Sequence, residues 1–291
     1  MTLKTFAWRL FPPGSAGEPA MNPERRRHEG MRLVGMGHSH VFAIKAAAAT
    51  YQADLASERV RVETIRVGDE PHRDYRVRSL VGGIGGFAWS AAMLEEISKA
   101  ESEADLVFSC FGGNAHNILG LVKHPRPYDF VLDDEPERPM AEGAEIVPMA
   151  LIEDALARQG GYPETIWSLR ALRQTYKGLL VHCESPPQIP SEAHLFKYAG
   201  VFKEKFDQFG VAPAELRYKL WRVHSRLIKR ECEALGINFI DAPPEMMDAQ
   251  GFLVEQAWNP DATHANTVYG LAVIRQLIAL ANSAPAVGDG R

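Results

Sequence analysis

The chain has 291 residues, about twice the length of a typical domain, and its 46% hydrophobic and 24% charged residues exclude disordered, collagen-like and coiled-coil classes. With 32 Lys plus Arg against 37 Asp plus Glu, the formal charge of −5 provides no basic footprint for a nucleic acid. Cys110, Cys183 and Cys232 form neither a disulfide framework nor a CxxC pair, which points to a reducing, cytoplasmic compartment.

The N-terminal MTLKTFAWRLF is interrupted by Arg9 and closed by Pro12-Pro13-Gly14 before it reaches the form of a signal peptide. No apolar run approaches the length of a membrane span. Residues 1–30 read as a leader or linker, and a single domain is expected over 31–285. Its first strand is placed at 31–36 (MRLVGM), followed by a helix over 41–57 and a second, β-branched strand at 60–67. The glycine run Val81-Gly82-Gly83-Ile84-Gly85-Gly86 precedes a predicted helix over 87–101, and 104–111 forms the third strand. Residues 124–148 carry five prolines and the acidic cluster Asp133, Asp134 and Glu135. This stretch is expected to be an ordered loop insertion and a candidate for shaping a substrate pocket.

Helical spacing resumes around 148–176, strands are expected at 178–183 and 236–241, and 191–235 is helical between them. Within that last region Pro213 suits a first turn, Leu216, Leu220, Val223 and Leu227 recur at helical spacing, and Gly236 marks the stop. A final apolar helix is expected over 268–280. Strands that alternate with helices predict a parallel sheet covered on both faces, a three-layer α/β/α domain with five strands.

In an open parallel sheet, ligands collect at the carboxyl ends of the strands. After the first strand comes Gly37-His38-Ser39-His40, where Ser39 is either a helix cap or a hydroxyl held in the positive end of a helix dipole. The glycine run could offer backbone N–H groups to an oxyanion, although it is neither GxGxxG nor a P-loop. After the third strand comes FGGNAHN, in which the Asn114 amide is either a turn residue or an oxyanion donor. Before the last helix comes PDATHAN, where Asp261 stands three residues ahead of His264 and can fix its tautomer, leaving Nε2 as a base.

Taken in order, GHSH, the glycine turn, FGGNAHN and PDATHAN resemble the SGNH hydrolases, the GDSL-type esterase superfamily, from about Met31 to Leu280. The resemblance implies a flavodoxin-like fold and ester cleavage, with Ser39 as nucleophile, His264 as base and Asp261 as its orienter. It implies an oxyanion hole made by the Ser39 N–H, a glycine N–H for which Gly86 fits best among Gly82, Gly83, Gly85 and Gly86, and the Asn114 side chain. Two departures stand out: His38 replaces the usual Asp before the serine, and Ala115 replaces the usual Asp after the asparagine. The loops must then be braced by other groups, for which His38, His40, His116 and Asn117 are the replacements at hand.

His182, after the fourth strand, and Trp258, beside the DxxH turn, are further pocket candidates. The expected substrate is a small-molecule or carbohydrate ester with a short acyl group such as acetyl, with no cofactor and no metal. An O-acyltransferase using the same residues is the nearest alternative. A metal site built from His38, His40, His116 and His264 and a non-catalytic binding module are the alternatives of another class. The residues leave the oligomeric state open.

Overall fold

The computed structural model describes residues 29–79, 85–158 and 161–283. The leader up to residue 28, the end of the expected domain at 284–285, and Gly82 and Gly83 lie outside the described residues. Five parallel strands form the central sheet: β1 (Met31–Gly37), β2 (Val60–Arg66), β5 (Leu106–Cys110), β8 (Leu180–Cys183) and β9 (Asn238–Ile240), in the order β2-β1-β5-β8-β9. Counted along the chain this is the doubly wound order 2-1-3-4-5, and the reversal between β1 and β5 opens a crevice at their carboxyl ends. All five strands fall where apolar, β-branched runs place them.

Because strand side chains alternate between faces, each strand feeds two cores. Leu33, Phe108 and Val181 enter one core, while Val34, Met36, Val107 and Leu180 enter the other. The first core is covered by α1 (Val41–Thr50) and α10 (Thr267–Ser283). These helices approach closely because Gly270 has no side chain: a Cβ there would lie 2.1 Å from the Ala43 carbonyl oxygen. The second core is covered by α3 (Ala91–Glu103), α6 (Gly161–Thr175) and the C-terminal half of α9 (Ala214–Leu235), through Met93, Ile97, Leu169, Leu172, Ile228 and Cys232. Phe108, fully buried, contributes about 2 to 3 kcal/mol relative to an exposed ring.

Three elements differ from the sequence pattern. The expected helix over 87–101 begins later: Phe87–Trp89 (β4) pairs antiparallel with Arg76–Arg78 (β3), and α3 starts behind Ser90, whose hydroxyl accepts the Met93 N–H at 3.4 Å. Packing overrides the helical reading here, because strand geometry brings Trp89 edge-on to Trp167, with ring centroids 4.7 Å apart. The helical stretches over 41–57, 148–176 and 191–235 are each broken. They become α1 and α2 (Gln52–Ser57), then α5 (Met149–Arg158) and α6, then α7 (Glu192–Lys197), a 3-10 turn, α8 (Lys203–Phe209) and α9. Left-handed Gly210 at φ 81° and Pro213 separate α8 from α9.

The third difference is the proline-rich insertion, which has structure of its own. After α4 (Ala115–Gly120), the short strands β6 (Tyr128–Asp129) and β7 (Glu145–Ile146) pair in parallel. Lys219 of α9 reaches into the segment, its Nζ 2.6 Å from Asp129 Oδ1, with both side chains fully buried. Asp129 also accepts the Phe130 and Ala141 N–H groups at 2.7 and 2.8 Å. Arg138 bridges Glu135 and Glu215 and donates to the Gln250 carbonyl. The insertion is therefore fastened to α9 through its backbone as well as its charges. No helix among the described residues is long and apolar enough to cross a membrane.

Candidate active site

At the end of β1 the chain turns through His38-Ser39-His40 into α1, with the His38 N–H donated to the Cys110 carbonyl at the end of β5 (3.2 Å). The turn before α10 arrives at the same crevice from the other side. Ser39 Oγ–H donates to His264 Nε2 at 2.7 Å, and His264 Nδ1–H donates to Asp261 Oδ2 at 3.0 Å. An ionised carboxylate accepts at both oxygens and never donates, so it fixes the protonated tautomer at Nδ1 and leaves the Nε2 lone pair facing the serine.

Asp261 also organises its own turn. Its Oδ1 accepts the Thr263 and His264 backbone N–H groups, each at 2.8 Å, and its Oδ2 accepts the Asn259 amide at 2.6 Å. Burial alone would raise this carboxyl's pKa, but His264 and the neighbouring N–H donors outweigh burial and hold it well below the usual carboxylate range. Trp258 flanks the turn, with its indole N–H donated to the Leu253 carbonyl at 2.7 Å and its own carbonyl accepting from Asn266.

The loop after β5 is shaped by two left-handed glycines. Gly112, at φ 73°, packs so closely that a Cβ would lie 1.9 Å from Thr165 Oγ1. Gly113, at φ 93°, lies against the His40 ring, where a Cβ would come within 2.4 Å of Cδ2. His40 packs in turn on His264, ring centroids 5.1 Å apart, and its pKa is pushed down to about 3 by burial and by the charge His264 would carry. It is a neutral wall, not a second base. Asn114 opens α4 and its side chain adjoins His40, while its Oδ1 accepts from the Asn117 amide at 3.4 Å. With the oxygen so engaged, the amide nitrogen is the end available to donate.

His38 takes up the bracing that its position requires. Its Nδ1 accepts the Gly112 N–H at 3.1 Å, which leaves Nε2 as the protonated nitrogen, 3.5 Å from the Tyr75 hydroxyl. Tyr75 donates to Glu164, which also pairs with Arg76 at 3.2 Å. Burial lowers the His38 pKa and nearby Glu164 partly opposes this. Tyr75 and Glu164 were not visible as site residues in the sequence, since each is an isolated polar residue without a motif.

The remaining candidates are more dispersed. His116 is buried, with Nε2 accepting from the Gln188 amide at 2.8 Å and its ring 5.2 Å from His224. His182 is buried inside the sheet, bonded to Ser109 Oγ at 2.8 Å. With His40 and His224 it lines a small cavity of about 20 Å³ beneath the crevice, room for about one water. Gly86 sits in the exposed turn before β4, at φ 80°, with its carbonyl accepting the Ser79 N–H. It opens a strand, so no helix N-terminus stands behind its N–H.

The glycine that does stand at the carboxyl end of β2 is Gly68, at φ 90°, beside Val67, whose N–H bonds the Gly37 carbonyl at 2.9 Å. The Gly68 N–H is donated to the His72 carbonyl at 3.0 Å. Among the described residues, no group of three or more His, Cys, Asp and Glu side chains is placed to hold a metal ion. His38 is turned to Gly112 and Tyr75 and His116 to Gln188, while the His40 ring packs against His264.

No family model and no curated protein matches the chain. It is similar in structure to a GDSL-like lipase from Bacteroides thetaiotaomicron, at 13% identity over 86% of each chain and a TM-score of 0.40. It is also similar to a catalytic mutant of an acetylxylan esterase from Geobacillus stearothermophilus, at 12% identity over 90% of this chain and 98% of that one, with a TM-score of 0.35. The solved structures to which this chain is similar include a GDSL-like lipase and an acetylxylan esterase.

Proposed function

We propose that this chain is a serine esterase that cleaves carboxylic esters of small molecules or carbohydrates through an acyl-enzyme on Ser39. The observation that carries the reading is the continuous hydrogen-bond chain from Ser39 Oγ through His264 to Asp261. In the first half-reaction Ser39 Oγ attacks the acyl carbonyl carbon while its proton passes to His264 Nε2. Asp261 stays ionised and stabilises the imidazolium. In this reading the oxyanion is held by the Ser39 backbone N–H and the Asn114 amide. Collapse expels the alcohol, which leaves with the proton from His264. Water then attacks the acyl-enzyme with His264 as base, and the carboxylic acid departs.

The test is intact-mass labelling with a fluorophosphonate, run beside Ser39→Ala, followed by hydrolysis of p-nitrophenyl acetate with and without an added alcohol. One adduct on the wild type and none on Ser39→Ala is the expected result. Turnover of p-nitrophenyl acetate that requires the alcohol, with the new ester as product and no acetate released without it, would reassign the chain as an acyltransferase. A wild type that is folded yet takes no adduct would end the nucleophile assignment.

A further inference from the structure

The Asp261 turn is not held by its own hydrogen bonds alone. His194, on α7, points its Nε2 at two backbone carbonyls of that turn, Asn259 O at 2.9 Å and Asp261 O at 3.2 Å. Both partners are acceptors, so the imidazole must present a proton at Nε2 to bond either of them. The ring is kept in this orientation from two sides. Tyr198, one turn along α7, packs at 4.8 Å between centroids, and Trp258 meets it edge-on at 5.0 Å.

The helix itself is anchored where the ring departs. Ser191 caps α7 by accepting the His194 N–H at 3.2 Å, and the Leu195 side chain is fully buried. The segment that carries His194 is thus fixed to the core, and the His194 ring reaches toward the residue that orients the base.

We propose that His194 is a positioning residue for ester hydrolysis, holding the Asn259–Pro260–Asp261 backbone so that the Asp261 carboxylate meets His264 Nδ1. The proposal rests on the Ser39–His264–Asp261 reading above. Its physical basis is the steepness of catalysis in geometry: a displacement of about 1 Å at a group that orients a reacting residue can cost about 100-fold in rate. Neither carbonyl takes part in the chemistry, so His194 acts only through the turn. Substrate binding does not pass through it. The loss should therefore appear in kcat and leave KM nearly unchanged.

The experiment compares wild type, His194→Phe and His194→Gln for fluorophosphonate labelling rate and for kcat and KM on p-nitrophenyl acetate, with thermal unfolding as a control. Phe keeps the ring packing and removes the donor. Gln carries an N–H the same number of bonds from Cα and restores the donor without the ring. Expected are a fall of about 10- to 100-fold in kcat and labelling rate for His194→Phe with KM within about twofold, and recovery of most of that loss in His194→Gln. In an Asp261→Asn background, His194→Phe should have little further effect, because the group it positions is already lost.

Wild-type protein supplies a second measurement that does not depend on a variant folding. Long-range nitrogen–proton NMR of the imidazoles should show His194 as the Nε2–H tautomer. A wild type that labels normally while His194→Phe labels equally fast would overturn this proposal alone, as would an Nδ1–H tautomer at His194. A folded wild type that takes no label would overturn it together with the esterase reading.

Discussion

Lowering the pH from 7.5 to 5 should remove a substantial part of the protein's stability, and the buried histidines set its scale. Burial pushes the pKa of His40 and His182 down to about 3 and that of His224 to about 4, and it holds His116 well below its ordinary value. In the unfolded chain each imidazole titrates near 6.5. A group whose folded pKa is depressed contributes stability that is present above the unfolded value and is lost as pH falls. The reason is that the unfolded state gains a proton that the folded state refuses. At pH 5, still above the folded values of His40, His182 and His224, each of these three removes about 2 kcal/mol, or about 6 kcal/mol together, and His116 acts in the same direction, against a total of about 5 to 15 for an ordinary domain. Glu184 works the other way, because burial raises its carboxyl pKa and acid favours its folded form.

Urea unfolding at a series of pH values measures the effect directly, and it must be read as stability and not as activity. The informative variant is His224→Phe. Among the described residues neither ring nitrogen of His224 has a hydrogen-bond partner, and the ring packs tilted against His116 and edge-on to Tyr162, so a phenyl group fits the contacts and removes one titrating site. The variant should equal or exceed wild-type stability at pH 7.5. Its stability should also fall less steeply below pH 6.5, by about 1.4 kcal/mol per pH unit. Stability that stays flat from pH 7 to 5, or an unchanged slope in His224→Phe, would refute the reasoning.

Asn114→Ala should lower kcat on p-nitrophenyl acetate by about 100- to 1,000-fold if its amide faces the oxyanion, with Ser39 still able to label slowly. Gly113→Ala forces a Cβ into the His40 ring from a left-handed backbone, so the labelling rate should fall at least about tenfold and the melting temperature should drop. Lys219→Met strands a fully buried Asp129 and should cost about 3 to 5 kcal/mol in urea unfolding, with partial recovery in Lys219→Met/Asp129→Asn. Tyr75→Phe removes the hydroxyl next to His38 and should slow turnover several-fold without changing KM, checked by steady-state kinetics.

The five strands were legible because each is a short apolar run between turn residues, and parallel strands buried on both faces leave that mark. The candidates Ser39, Asp261 and His264, whose side chains the fold brings together, stood out because each lies in a dense local motif at a strand end or helix start. The β3–β4 hairpin was hidden because Phe87 and Trp89 suit either a helix or a strand locally, and only the contact with Trp167 decides. His194 was hidden for a related reason: 67 residues separate it from Asp261, and a histidine inside a short helix has no local signature. Its role exists only once the chain has folded. The same holds for Tyr75 and Glu164, whose link to His38 spans three separate elements.

The turn around Asp261 carries one more consequence, for how the residue can vary. Both carboxylate oxygens are surrounded by donors: two backbone N–H groups on one, and the Asn259 amide and His264 Nδ1–H on the other. Asparagine at this place would turn an N–H₂ toward one of those donor pairs whichever way it rotated. The conservative exchange thus damages the loop's architecture as well as the charge, and a low activity for Asp261→Asn would not isolate the electrostatic contribution. Glutamate would move the charge outward by a methylene and break the same contacts. On the esterase reading, catalysis and local folding draw on one side chain here, so this position should tolerate substitution less than a surface turn with a half-exposed carboxylate ordinarily would.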